Sequence, residues 1–506
     1  MVTPEVADSH SSFERALILA IVVFAGAVYA STQTIILVSL PQMQGDLSAS
    51  IDQIAWVVTG NIVASAIGIP PTAWLSARFG RKRLFLFCIG CFIASCLLLS
   101  VSTSLEEVVI WRIMQGLTGA PLIAITQAIS LDIYPRERQG MAMAVWSVGL
   151  IVGPVVAPTV GGYLTEIGDW RLVFLAMVPL AVFSFFASLA VVPEWASERG
   201  LRFDWFGFVA VTFGIGAAQL TIDQGQRLDW FESTEIIVLA VVAGFGLYTF
   251  VAHILTARNP FLDPGIFRDR NFSVGLFTMF VYSPLIYIPM VLLPNMLEDL
   301  RDFPAVTIGL LLLPRGLGQI VGLSIAGRFV GKMDCRKLLV ASLLLQAFTT
   351  WVMSRWNLGI GIWDIVWPSF LQGIAMGFIF MSIITITYST LERERRTEGA
   401  ALFSLVRNFG TSIGISVAVT LFVRFATKSQ ASLTEHAEPF NELFRLPENL
   451  SLWDLESLSS VATLESQIVR HAEMVGYAND FFVMTVWALL LIPITALARN
   501  TVSAPR

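Results

Sequence analysis

Charge is what this chain has least of. Of its 506 residues only 14% are charged, while 55% are hydrophobic. A soluble domain carries about 25% charged and about 45–50% apolar residues, so an ordinary soluble fold is excluded. The apolar excess sits in long uncharged runs such as 16–41 and 274–294. Cysteine is scarce as well. Cys88, Cys91 and Cys96 share one apolar run and Cys335 stands alone, none of them in a segment facing an oxidising compartment. The CxxC spacing of Cys88 and Cys91 lies among Phe, Ile and Leu with no further ligand near, so it reads as packing rather than as a metal or redox site. A nucleotide loop, metal-ligand spacing and an intramembrane His/Asp cluster are missing, which argues against an enzyme and against direct ATP drive. The N-terminus shows no cleavable signal, so the first apolar run reads as a retained span.

What is present is a series of apolar segments, each able to cross a bilayer core that needs about 20 residues per helix. About fourteen spans are expected, at 16–40, 52–75, 84–104, 107–131, 140–164, 172–192, 205–223, 235–256, 272–294, 304–327, 337–354, 363–388, 400–424 and 481–498. One set of connecting loops holds about eighteen Lys and Arg, including Arg78, Arg81, Lys82, Arg83, Arg136, Arg138, Arg328, Arg336, Arg393 and Arg396. The opposite short loops hold only Arg171, Arg227, Arg301 and Arg355. The positive-inside rule puts the first set, and both termini, in the cytoplasm. A long outer segment, 426–480, carries mixed charge at helical spacing from Trp453 onward, and is expected to form short amphipathic helices over the outer mouth.

The sequence repeats itself. Met114-Gln115-Gly116 returns as Leu371-Gln372-Gly373, Arg136-Glu137-Arg138 as Arg393-Glu394-Arg395, and Gly153 as Gly410, all 257 residues apart; Arg78-Phe79 returns as Arg328-Phe329 after 250. The expected fold is therefore all-α and polytopic: a six-helix bundle (16–192), a linker with two inserted helices (193–256) and a second six-helix bundle (257–498), between tails 1–15 and 499–506. Parallel repeats of this kind hold a substrate at their interface near the midplane.

Three stretches carry mechanical signatures. After span 2, Gly80 permits a sharp turn between Arg78 and Arg81. In span 4, Arg112 precedes Gln115-Gly116 and Gly119; a charge at that depth must face protein or water. In span 5, Gly149, Gly153, Gly161 and Gly162 form a smooth strip interrupted by Pro154 and Pro158. Such a strip is expected where the two halves meet and slide.

No Asp or Glu falls deep inside an expected span; Asp132, Asp223 and Asp364 lie near span ends. Arg112, Arg315 and Arg407 do fall inside. They imply a cavity of positive bias, suited to amphipathic anions or neutral molecules, to which Gln33, Trp56, Asn61, Gln127, Trp146 and Asn408 add polar and aromatic contacts. His253 in span 8 is expected to be a packed histidine, although histidine is the side-chain type whose ordinary charge change lies near neutral pH.

At these motifs the chain resembles the major facilitator superfamily, and within it the fourteen-helix drug:proton antiporter branch of the EmrB/QacA type. Gly80-Arg81-Lys82 is similar to that superfamily's motif A, Arg112-x-x-Gln115-Gly116 to motif B, and Gly149 to Gly162 to the antiporter motif C of exporters. The segment from Asp223 to Phe231, with Arg270-Asn271-Phe272, is similar to the EmrB group in particular. The resemblance spans about 15–500. It implies an efflux transporter of the bacterial inner membrane, embedded in lipid and exporting small amphipathic molecules such as drugs, fatty acids or siderophore-like acids. It also implies drive by a proton gradient without a bound cofactor, and work with a periplasmic adaptor and an outer-membrane channel; nucleic acid has no part. Two positions depart from the pattern. Ala77 stands where motif A has an acid, and in span 1 Thr32 and Leu37 stand where the branch has its Asp and Asn. That Asp is the branch's candidate proton carrier; its absence favours a sensor or scaffold on a transporter fold, whereas the intact span 5 strip and the Arg-Glu-Arg loops favour, more strongly, an exporter coupled in another way.

Overall fold

The computed structural model describes residues 11–135, 138–194, 203–225, 227–257, 260, 262–303, 305–329, 333–392, 395–436 and 458–498. Helices account for nearly all of them: α1 (Ser12–Asp46), α2 (Ile51–Gly68), α3 (Thr72–Phe79), α4 (Arg81–Val101), α5 (Leu105–Ile133), α6 (Gln139–Ile167), α7 (Arg171–Val191), α8 (Trp205–Gly225), α9 (Thr234–Thr256), α10 (Arg270–Arg301), α11 (Ala305–Phe329), α12 (Cys335–Met353), α13 (Ile362–Tyr388), α14 (Arg396–His436), α15 (Leu458–Leu490) and α16 (Ile492–Thr495). Among the described residues twelve helices are long and apolar enough to cross a membrane, and the bent pair α2–α3 makes a thirteenth. The 19-residue α12, with Arg336 and Lys337 in its first turn, packs between α13 and α15.

Helix ends follow local chemistry. Ser11 caps α1 and Glu14 answers it, closing a capping box; Ser50 and Gln53 do the same for α2. The single span expected over 52–75 is instead broken. Pro70 and Pro71 lack the amide hydrogens a helix needs, and α3 leaves α2 at 56°. Gly80 then turns the chain into α4 at φ 87°, a backbone region that favours glycine.

The repeat read in the sequence reappears as packing. α1 lies on α6, α2 on α5, α4 on α5 and α7; in the second half α10 lies on α14, α11 on α13, and α12 on α13 and α15. Repeat-related glycines occupy matching contacts. Gly116 abuts the Asn61 carbonyl on α2 and Gly373 abuts the Arg315 carbonyl on α11; Gly153 faces Ala27 on α1 and Gly410 faces Phe280 on α10. At each, a Cβ would strike backbone, so glycine sets how closely the axes approach.

The inserted pair packs through Gly214 and Gly246. α8 then reaches both halves: Asp223 accepts from Thr59 on α2, Gln219 Nε2 donates to Ser412 Oγ at 2.6 Å, and Ser416 Oγ donates to the Ile222 carbonyl at 3.0 Å.

The outer segment differs from expectation. α14 runs on to His436 as a 41-residue helix, and α15 starts at Leu458 and runs 33 residues into the last span. The described parts of 426–480 are thus continuations of two spans that pack on each other, not short helices laid over a mouth. Phe422 stacks on Tyr477 with centroids 4.3 Å apart. Residues 437–457, with the stretch from Trp453 to Ser457, lie outside the described residues, as do Arg136-Glu137 and Arg393-Glu394.

Candidate functional site

Arg112 is buried in the first half, 1% exposed. Its Nε donates to the Val57 carbonyl at 3.1 Å and its Nη1 to Gln115 Oε1 at 2.5 Å. Gln115 passes the chain on to Cys96 Sγ at 3.3 Å, and Asn61 Nδ2 donates to the Arg112 carbonyl at 2.9 Å. Three helices, α2, α4 and α5, are tied by this network. The structure therefore places Arg112, Asn61 and Gln115 together, satisfying a membrane-buried charge with backbone and amide oxygens.

A second group surrounds α1. Trp146 on α6 is buried and its Nε1 donates to Thr126 Oγ1 on α5 at 3.1 Å. The neighbouring Gln127 is fully buried, and neither atom of its amide has a hydrogen-bond partner among the described residues. Gln33 on α1 is half-buried, whereas Trp56 on α2 is 37% exposed. Among the described residues no hydrogen bond links these side chains to Arg315 or Arg407 across the two halves.

The small-residue strip of α6 is not where the sequence places it. Gly149 faces Val23, Gly153 faces Ala27 and Ser31, Gly161 faces Ile35, and Gly162 faces Val38 at 3.4 Å, so the whole strip packs on α1 of its own half. The contact with the other half uses a different face of α6, where Ala144, Val155 and Thr159 meet Gly327, Gly316 and Gly309 of α11. Helical spacing identifies a face but not the helix it meets. Pro154 and Pro158 stay inside one continuous helix. Pro158 has no amide hydrogen for the carbonyl four residues back, that of Pro154; Thr34 Oγ1 on α1 donates to it at 3.1 Å instead.

Thr32, at the position of the branch's Asp, is fully buried, and its hydroxyl donates to its own helix at Tyr29 O, 2.7 Å away. No titrating group stands there.

The second half holds two cations of another kind. Arg315 on α11 is 8% exposed; its Nη2 donates to the Ile286 carbonyl at 2.5 Å, while its Nε has no partner among the described residues. Tyr282, within its electrostatic reach, also has a buried hydroxyl with no partner. Arg407 and Asn408 on α14 are half-buried, and Arg407 Nε is likewise unpartnered. Among the described residues neither arginine meets a carboxylate.

One end of the bundle is latched across the halves. Arg81, just after Gly80, pairs with Asp132 at the end of α5. Arg396, at the head of α14, donates from Nη1 to Asp132 Oδ1 and the Leu131 carbonyl, both at 3.3 Å, and from Nη2 to Gln139 Oε1 at 3.4 Å. Arg78 is half-buried at the end of α3. Sequence reasoning took Arg396 for a topology signal. The repeat could have singled it out, since Arg396 stands 257 residues after Gln139, its own partner.

Two further features escaped that reading. Asp480 was placed outside the last span, yet lies within α15 and is 2% exposed; the expectation of spans free of buried acids fails there. In addition, α3, α8, α9, α10 and α14 line a half-open apolar cavity of about 330 Å³ that includes Val211, Leu247, Phe250, Phe280 and Phe409, with Glu398 the one charged lining residue among those described. His253, for its part, is bonded: its Nε2 lies 2.9 Å from both carboxylate oxygens of Asp204.

Comparison with known proteins agrees with this architecture. Residues 22–263 and 275–429 match the family model of the Major Facilitator Superfamily. The multidrug export protein EmrB of Haemophilus influenzae is 35% identical over 460 residues, 90% of each chain. Its namesake in Escherichia coli K12 is 33% identical over 91% of this chain and 90% of its own. The fatty acid resistance protein FarB of Neisseria gonorrhoeae is 29% identical over 92% of each. The crystal structure of the human organic anion transporter MFSD10 shares the fold at 12% identity, with a TM-score of 0.62 over 95% of this chain and 99% of its own. A multi-pass helical chain built on a two-fold repeat, and so matched along most of its length, belongs to the major facilitator superfamily, among its EmrB-type transporters.

Proposed function

We propose that the chain exports small amphipathic molecules, acids or neutral compounds in preference to cations, across the bacterial inner membrane. The two halves alternate access about the α6–α11 contact, a proton gradient supplies the energy, and both termini lie in the cytoplasm. Arg315 carries this reading. A buried cation without a carboxylate partner is unfavourable in a membrane unless an anion or water completes it, and its free Nε beside the Tyr282 hydroxyl offers two donors to one acidic group. The apolar cavity beside α8 and α9 supports a substrate with a hydrocarbon part. Relatives named for multidrug export and fatty acid resistance support the same class. A periplasmic adaptor and an outer-membrane channel complete the path, a partnership supported by the resemblance to EmrB.

Thr32 favours a second reading, a sensor or scaffold that has lost coupling. Inside-out vesicles carrying the protein separate the two. With an imposed proton gradient, uptake of an anionic amphipathic dye exceeds that of a matched cationic dye and stops with a protonophore. Stronger uptake of the cation overturns the anion preference, and no gradient-dependent uptake of either dye favours the sensor.

A further inference from the structure

Proton-driven export needs a group that takes up and releases a proton, and Thr32 cannot. Most intramembrane or interfacial acids of this protein are already engaged: Asp132 by Arg81 and Arg396, Asp204 by His253, Asp223 by Thr59, Asp334 by Arg336. Asp480 differs from all of them. It is 2% exposed, and neither carboxylate oxygen has a hydrogen-bond partner among the described residues. It lies within a membrane-crossing helix. A buried carboxylate without a hydrogen-bond donor is unfavourable in its ionised form.

Its surroundings supply an approach. Glu473, Tyr477 and Asp480 follow one another at helical spacing on one face of α15. Asp299 at the end of α10, Glu473 and Asp480 all lie within electrostatic reach of Tyr477. Glu473 is half-buried and Asp299 exposed, so the strip runs from water to the buried acid.

The other charged groups on the helices packed against α15 lie elsewhere. On α10, Arg301 is directed to the Leu358 carbonyl and Arg270 to the Leu497 carbonyl at the other end; Glu298 is exposed. On α12, Arg336 and Lys337 occupy the terminus far from Asp480, while Arg355, two residues past the other end, lies over Trp351. On α14, Arg424 and Lys428 are exposed, Glu398 and Arg407 sit toward the opposite end, and α16 has no charge. On α15 itself, Arg470 donates to the Leu300 carbonyl at 2.5 Å, and Glu465 and His471 are exposed. Phe481, packed edge-on against Trp356 at 5.7 Å, and the Thr485–Thr350 bond at 2.9 Å close the strip below Asp480.

We infer that Asp480 is the proton-binding site of the transport cycle, loaded along Asp299 and Glu473 from the water at the end of the bundle opposite the Arg81–Asp132–Arg396 latch. This rests on the reading of proton-driven export. The proton comes from that water, binds one carboxylate oxygen, and leaves to the other side when the packing of α15 on α12 and α14 rearranges.

The test uses the full-length protein in proteoliposomes, as wild type, Asp480→Asn and Asp480→Glu. Three quantities are read: accumulation of the anionic dye under a proton gradient, exchange of the dye without a gradient, and the infrared carbonyl band of a protonated carboxylic acid that vanishes as pH is raised. Asp480→Asn is expected to lose accumulation and the band while still exchanging dye, and Asp480→Glu to keep both. Accumulation in Asp480→Asn equal to wild type, accumulation that follows a sodium gradient instead, or a band unchanged in Asp480→Asn would each overturn the site. If the wild type neither accumulates nor exchanges dye, the export reading fails, and the band alone decides: present in wild type and missing in Asp480→Asn upholds proton binding, present in both or missing from wild type refutes it.

Discussion

Asp132 accepts from Arg396 of the opposite half at 3.3 Å while it also pairs with Arg81 of its own, so one carboxylate holds the cation-rich end of the bundle closed. Breaking a partly buried pair from one side leaves an uncompensated cation and costs about 3–5 kcal/mol when burial is complete.

Asp132→Asn should therefore release that end. A cysteine placed at Ala144, where α6 meets Gly327 of α11, should react with a water-soluble maleimide at least about tenfold faster in the Asp132→Asn background, the change expected for a shift of about 1.4 kcal/mol. Equal rates would mean the latch does not hold the closed state.

Arg315 and Arg112 should separate by phenotype. Arg112→Gln breaks a network that joins three helices and should lower folded yield and thermal stability. Arg315→Gln leaves the helix packing and should lower uptake of the anionic dye about tenfold, for a charge-assisted hydrogen bond of about 1.5–3 kcal/mol, with little effect on a neutral one. Equal losses for both dyes would refute a charge-reading role.

Thr34 and Pro158 should be coupled. Thr34→Val leaves the Pro154 carbonyl without a donor and should cost about 1 kcal/mol of stability. In a Pro158→Ala background the helix supplies its own donor, and the same change should cost much less. Thermal unfolding of the four proteins of this cycle in detergent gives the coupling directly.

The glycine strip should show its partner. Gly153→Ala drives a methyl into Ser31 and the Ala27 backbone and should destabilise by about 1–3 kcal/mol, whereas Gly162→Ala meets Val38 at 3.4 Å and should be nearly neutral. Comparable effects at both positions would place the close α1–α6 approach elsewhere.

Asp334 caps α12, accepting from the Arg336 backbone amide at 3.1 Å and from its guanidinium at 2.8 Å. The Arg336 side chain holds this carboxyl below the ordinary carboxylate range. A depressed folded-state value means that its stabilising contribution is present at neutral pH and is lost as pH falls through that value, below about 4. Asp334→Asn should flatten the acid limb of thermal stability against pH, and an unchanged limb would assign it to other acids.

Apolar length, cation placement and the recurring motifs determined, from the sequence alone, that this is a polytopic helical protein with an internal repeat, because a bilayer imposes span length and each half must pack its own small residues closely. The 257-residue offset of Gly116 and Gly153 from Gly373 and Gly410 was already enough to predict matching packing. What only the tertiary structure decided is which surface meets which. The strip of α6 lies on α1 and not on the other half, Arg112 is bonded within its half while the Arg315 Nε has no partner among the described residues, and Asp480 lies inside a helix whose start the mixed charge of the outer segment obscured. Periodicity reports a face, and composition reports a depth; the partner across that face depends on residues far away in the chain, and only the folded arrangement brings them together.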